Sequence, residues 1–316
     1  MNQAIGTVYK STGSWYRVKT DKGIMLDARI KGKFRLNGKK LTNPVAVGDR
    51  VKIEWTSADE ATIIEILTRN NYVVRQSPRK KHFLHLLASN IDQAMLIVTV
   101  VEPSLKPGFI DRFLLMTETH DIPVVIVFNK SDLWGPEERE KLDEFRAIYN
   151  DIGYKVLHSS SLTGEGLNKL KETLQGKTTL MSGHSGVGKS SLMNTIQPEL
   201  ALKTEEISDY SGKGQHTTTF AEMFDLPEGG RLIDTPGIKT LGFNHFEVMD
   251  VAHNFREFFA LSSGCKFNNC MHLNEPKCAV RQAVQDGQIA PTRYRSYLQI
   301  VEEIENQNYW EINNDW

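Results

Sequence analysis

Residues Gly183 to Ser191 read GHSGVGKSS, between an apolar run, Lys177 to Gly183, and a helix-forming run, Ser190 to Ile196. The pattern G-x-x-x-x-G-K-[ST] in that setting is compatible with few folds. A strand must feed a tight glycine-rich turn whose backbone N–H groups converge at the positive end of a helix. Such a turn holds phosphate. Lys189 is placed to neutralise β/γ oxygens and the Ser190 hydroxyl to ligate Mg²⁺. Gly183, His184, Ser185, Gly186, Val187, Gly188, Lys189, Ser190 and Ser191 form the candidate phosphate-binding set.

From Ile91 onward apolar strand-like runs alternate with charged runs of helical period, as parallel βαβ units do. Val124 to Asp132, VVIVFNKSD, is a strand ending in Asn129-Lys130-Ser131-Asp132. Ligands of α/β sheets bind at carboxyl ends of strands. A carboxylate at Asp132 there accepts from guanine N1–H and the exocyclic amine, a donor pair that adenine lacks, while the Lys130 stem lies against the base. Ser159, Ser160 and Ser161, after the next strand, suit a backbone N–H bond to guanine O6. Leu232 to Gly237, LIDTPG, ends another strand; Asp234 is placed for water-mediated Mg²⁺ binding and the Gly237 N–H for the γ-phosphate. Between them GKGQHTTTF, Gly212 to Phe220, reads as a loop in which Thr218, with Thr217 as alternative, completes the Mg²⁺ shell.

These are the elements of a GTPase, with the base reader ahead of the phosphate loop. The order requires a circular permutation, which a compact domain with neighbouring termini tolerates. A kinase or ATPase would leave Asp132 without a role. Ile238 follows Gly237, at the position where many GTPases carry a water-orienting Gln. His216 is the candidate to position or deprotonate the attacking water, with His184 a weaker competitor.

Five short β-branched runs split by turn signals fill the first seventy residues, as in an OB barrel; an SH3-like barrel gives nearly the same pattern. Residues 1–90 carry 17 Lys and Arg against 7 Asp and Glu, and the remainder 21 against 32. That asymmetry points the N-terminal module at a polyanion. No apolar run is long enough to cross a bilayer and the N-terminus lacks signal-peptide features, so a soluble cytoplasmic protein is expected. All three cysteines lie in C-x4-C-x-H-x5-C: Cys265, Cys270, His272 and Cys278. Three thiolates and an imidazole close a tetrahedral, structural Zn²⁺ shell. The expected architecture is a multidomain chain. It runs from an OB-like barrel (1–70) and a basic connector (71–90) to a circularly permuted α/β GTPase domain (91–245) and a helical zinc-binding domain (246–316).

The permuted motifs NKSD, GHSGVGKSS, HTTT and DTPGI together with the Cys₃His spacing resemble the RsgA (YjeQ) family of small ribosomal subunit biogenesis GTPases. The resemblance covers almost the whole chain. It implies GTP hydrolysis stimulated by the small subunit, a barrel and a zinc domain that grip ribosomal RNA during late maturation, and His216 as the catalytic residue. GTP, GDP, the small subunit and its rRNA are the implied partners, and a monomer is expected. Lys213 and Gln215 depart from the family, which tends to carry arginines there. A nucleotide-gated RNA-binding module with a non-ribosomal target is the alternative.

Overall fold

The computed structural model describes residues 2–31, 43–57, 60–76, 84–200, 202, 221–235, 243 and 246–314. Five strands, β1 (Asn2–Ser11), β2 (Tyr16–Thr20), β3 (Met25–Ile30), β4 (Arg50–Ser57) and β5 (Glu60–Ile66), close a barrel. β1 pairs with both β2 and β4, β3 runs parallel to β5, and the other pairings are antiparallel. The closed order 1-2-3-5-4 is that of an OB barrel rather than an SH3-like one. Inward-facing alternate residues, among them Val8, Tyr16, Val18, Leu26, Ala28, Ile53 and Ile63, fill it.

The stretch read as a connector contains two paired strands, β6 (Tyr72–Gln76) and β7 (Leu84–Ser89). The Asn43 side chain bonds both backbone groups of Leu86, at 3.0 and 3.1 Å. Fully buried Asp49 takes the Arg69 fork at 2.6 and 2.7 Å and the Ser89 hydroxyl at 2.5 Å. These polar ties dock the hairpin on the barrel.

A second sheet region contains β8 (Gln93–Thr99), β9 (Val124–Asn129), β10 (Lys155–His158), β11 (Thr178–Gly183), β12 (Glu222–Asp225) and β13 (Arg231–Asp234). Their spatial order is β10-β9-β8-β11-β13-β12, parallel except for β12. β8 and β9 are apolar along nearly their whole length because both faces are covered. In β8, Ala94, Leu96 and Val98 face one core with Phe113 and Tyr149, and Met95 and Ile97 face another with Leu170, Leu192 and Met193. That alternation puts α1 (Pro107–Glu118) and α2 (Pro136–Asp151) on one side, and α3 (Leu167–Leu174) and α4 (Lys189–Ile196) on the other.

Lys10 of β1 pairs with Glu222 of β12, so barrel and second sheet run on as eleven strands. Asp225 on β12 accepts from Tyr9 at 2.6 Å and Lys19 at 2.5 Å. The barrel is thereby bonded to the strand between the threonine loop and Asp234.

The C-terminal helices are α5 (Val248–Asn254), α6 (Arg256–Ser262), α7 (Ala279–Gln285) and α8 (Pro291–Asn314). Arg293 of α8 is 2% exposed and donates to Asp111 of α1 at 2.7 Å and to both oxygens of Glu257 at 2.7 and 3.1 Å. Tyr149 of α2 adds a bond to Asp111 at 2.8 Å. Loss of one partner would strand a buried charge at a cost of about 3–5 kcal/mol, so this network fixes the C-terminal helices on the central sheet. Among the described residues no helix is long and apolar enough to cross a membrane.

Candidate nucleotide and metal sites

The loops singled out from the sequence leave β9, β10, β11 and β13 at their carboxyl ends, and the parallel pairing brings those ends to one edge. Asn129, fully buried, ends β9. Its amide donates to the Val187 carbonyl of the phosphate loop at 2.9 Å, and its oxygen accepts from Ser159 at 3.0 Å. One side chain thus ties three loops together. Gly188 makes this possible: its φ is +85°, and a Cβ there would lie 2.6 Å from the Asn129 amide nitrogen.

Lys130 follows in left-handed backbone, φ 64°, and its ammonium donates to the Glu102 carbonyl at 2.7 Å. Asp132 is exposed at the rim and accepts a short hydrogen bond from the Ser160 hydroxyl. That hydroxyl also accepts the backbone N–H groups of Leu162 and Thr163 at 3.2 and 3.1 Å. Ser131 is 2% exposed and donates to Glu165 at 2.5 Å. Ser161 is partly exposed beside Ser160. The arrangement presents one exposed carboxylate with a serine-lined loop next to it.

In the phosphate loop Ser185 and Gly186 are exposed, Val187 is buried in the core beneath, and helix α4 starts at Lys189. Gly183 is held close to β8: a Cβ would stand 2.5 Å from the Ile97 carbonyl. His184 packs against Phe109 of α1 with the rings tilted by 38° and their centroids 3.7 Å apart, and burial lowers its pKa, with Lys106 adding to the shift. Ser190 and Ser191 occupy the first turn of α4, where unpaired N–H groups favour an anion. The Lys189 ammonium makes a salt bridge with Asp234 and donates to the Thr235 carbonyl at 2.7 Å. The pair is nearly buried, which brings the loop lysine and the acidic end of β13 to one point. His216, Thr217, Thr218, Gly237 and Ile238 lie outside the described residues.

Cys265, Cys270, His272 and Cys278 come together with ligand atoms all within 4.8 Å of one another. Cys265 Sγ is 3.7 Å from His272 Nδ1 and 4.0 Å from Cys278 Sγ, and His272 Nδ1 is 3.4 Å from Cys278 Sγ. Such spacings are those of atoms around one tetrahedral ion with bonds of roughly 2.0–2.3 Å. His272 reaches the cluster from left-handed backbone, φ 58°, held by Tyr294, which donates to the His272 carbonyl at 2.7 Å. Cys278 caps α7 and Cys265 accepts from Ala279 N–H at 3.4 Å. Burial lowers the pKa of His272, pushes the Cys270 thiol up to about 12 and raises that of Cys278. A divalent cation reverses that cost by taking the thiolates as ligands. The donor set therefore fits a metal ion closed off from substrate.

Two residues that no motif marks also shape the site: Glu165, in the stretch HSSSLTGEG, which accepts from Ser131, and Phe109, which packs against His184.

Family models named RsgA N-terminal domain and RsgA GTPase match residues 5–63 and 66–244. A Bacteroides fragilis (strain YCH46) protein named small ribosomal subunit biogenesis GTPase RsgA is 50% identical over 304 residues, 96% of this chain and 98% of that protein. A Flavobacterium johnsoniae protein of the same name is 49% identical over 300 residues, 94% of this chain and 92% of that one. Among solved structures, YjeQ from Thermotoga maritima superposes with a TM-score of 0.77 at 33% identity, covering 96% of this chain and 99% of that one. YloQ, described as a circularly permuted GTPase, gives 0.74 at 32% identity, covering 97% and 96%.

Proposed function

The chain belongs to the RsgA family of small ribosomal subunit biogenesis GTPases, and on that footing we propose how its residues divide the work. It is a GTP hydrolase that acts in the biogenesis of the small subunit. Asp132 reads the guanine edge and Lys130 lies against the base; in the loop Ser159 to Ser161 the first two N–H groups hold the Phe128 and Glu165 carbonyls, and Ser161 brings its N–H to O6. The N–H groups of His184 to Ser191, at the start of α4, cradle the phosphates, and Lys189 neutralises them. Ser190, Asp234 and Thr218 hold Mg²⁺; when bound, the ion offsets charge on the β- and γ-phosphate oxygens. Cys265, Cys270, His272 and Cys278 hold one structural Zn²⁺.

The observation that carries the reading is the Asn129 tie. Asn129 and Val187 stand 58 positions apart with the base reader first, yet one hydrogen bond joins the two loops. Permutation has changed the order of the motifs while leaving a common corner for base and phosphate.

His216 positions and deprotonates the attacking water, since Ile238 has no group to do so. The basic barrel meets rRNA phosphates, and the small subunit orders the His216 loop, so that turnover is slow in the free protein and fast on the subunit. The protein works as a monomer in the cytoplasm, where subunits mature.

Co-sedimentation with purified small subunits tests the partner. Retention with a non-hydrolysable GTP analogue, release with GDP and a steep loss of affinity with added salt are expected. Binding to naked RNA with no preference for subunits would favour the second reading, a nucleotide-gated RNA-binding module with another target.

A further inference from the structure

The base-reading turn is strained at its centre. Lys130 adopts φ 64°, left-handed backbone that costs a non-glycine residue about 1–2 kcal/mol and persists only where its flanks are anchored. The flank before it is Asn129, tied to Val187 and Ser159. The flank after it is Ser131, whose N–H donates to the Ser159 carbonyl at 3.1 Å and whose hydroxyl donates to Glu165 Oε2 at 2.5 Å.

Glu165 is itself held from several sides. Its backbone carbonyl accepts the Ser160 N–H at 3.0 Å, and its second carboxylate oxygen lies 3.2 Å from His158 Nε2. Gly166, φ +74°, turns the loop back against β10 so closely that a Cβ would stand 2.0 Å from the His158 carbonyl. The hydrogen bond from Ser131, with the nearby His158 and Arg139 charges, keeps the Glu165 carboxyl below the usual carboxylate range. It is therefore an anionic acceptor at neutral pH, and hydrogen bonds to charged groups are the stronger ones.

Ser131 and Asp132 are adjacent, and Ser160, which donates to Asp132, is bonded through its N–H to Glu165. We propose that Glu165 is a positioning residue for guanine recognition: by anchoring Ser131 and the Ser160 backbone together, it aims Asp132 at the base edge. The proposal rests on the assignment of Asp132 as base reader. The Glu165 carboxylate is engaged by Ser131 and His158, so its role is exerted through the turn it holds.

The test measures dissociation of fluorescent GDP, and the preference for GDP over IDP, in Glu165→Ala, Glu165→Gln, Ser131→Ala and the double alanine variant, with Asp132→Asn as control. Loss of one charge-assisted anchor predicts about tenfold faster GDP release in Glu165→Ala. A smaller GDP-to-IDP ratio is also expected, because the exocyclic amine is the contact that distinguishes the two bases. Glu165→Gln keeps an acceptor oxygen and should recover most of the loss, and the double variant should be no worse than Glu165→Ala alone. A residue that served stability alone would lower the melting temperature and leave the GDP-to-IDP ratio of the folded protein unchanged. Should Glu165→Ala not fold, Ser131→Ala removes the same bond with less disturbance. Release and base preference within twofold of the parent, in a protein whose Asp132→Asn variant does switch to xanthosine nucleotides, overturn the positioning role alone. If Asp132→Asn retains guanine preference, the base-reader assignment fails and this role with it.

Discussion

Asp132→Asn will turn a guanosine-selective protein into one that prefers xanthosine nucleotides. The carboxylate accepts two donors from guanine, N1–H and the exocyclic amine. An asparagine presents one oxygen and one NH₂, so one guanine donor then faces another donor. Xanthine carries an oxygen in place of the amine and matches the amide. Two hydrogen bonds to a charged group at about 1.5–3 kcal/mol each put the lost GDP affinity near a thousandfold. The Ser160 hydroxyl that donates to Asp132 can still donate to the amide oxygen, so the loop should remain in place. Competition of GDP and XDP against a fluorescent guanine nucleotide reads the outcome directly. A variant that still prefers GDP contradicts the placement of guanine at this carboxylate.

Removing the metal will have the largest effect on stability. Structural zinc contributes on the order of 10 kcal/mol or more to folding at neutral pH, because no preformed site exists in the unfolded chain. Here the four ligand atoms gather from a segment with little regular structure between α6 and α7, and Cys278 is also the cap of α7. The purified protein should contain one zinc per chain. Cys278→Ala, or treatment with a strong chelator, should abolish hydrogen-exchange protection in 256–300. GDP affinity should change by less than about threefold, because the bonds that tie the base-reading turn run among Asn129, Val187, Ser159, Ser131 and Glu165, none of them a member of the cluster; a 1.4 kcal/mol change would already be tenfold. Full protection after complete metal removal would show that the cluster does not organise this region.

The candidate site was legible in the sequence because its motifs are local. GHSGVGKSS, NKSD, LIDTPG and the Cys-x4-Cys-x-His-x5-Cys run each occupy fourteen residues or fewer. Their order alone was enough to read the permutation. What escaped is long-range. The hairpin Tyr72–Gln76 with Leu84–Ser89 reads as a basic connector because its docking groups, Asn43 and Asp49, stand in the barrel. Nothing local marks Arg293 as buried; its partner Asp111 is 182 positions away. The pairing of Lys10 with Glu222, which runs the barrel on into the second sheet, has no local signature at all. Glu165 was in view but silent, since an acid in a Gly-rich loop has many uses and only the fold shows it meeting Ser131.

The proposed GTPase draws its catalytic power from the small subunit acting through His216. The decisive experiment is GTP turnover of the parent and of His216→Ala, each with and without purified small subunits. The parent should be slow alone and about a hundredfold faster with subunits, the size of effect a positioned general base supplies. His216→Ala should bind GTP and subunits normally and show almost none of that acceleration. Turnover that subunits leave unchanged, or acceleration that survives the loss of His216, would rule out subunit-driven catalysis by this histidine.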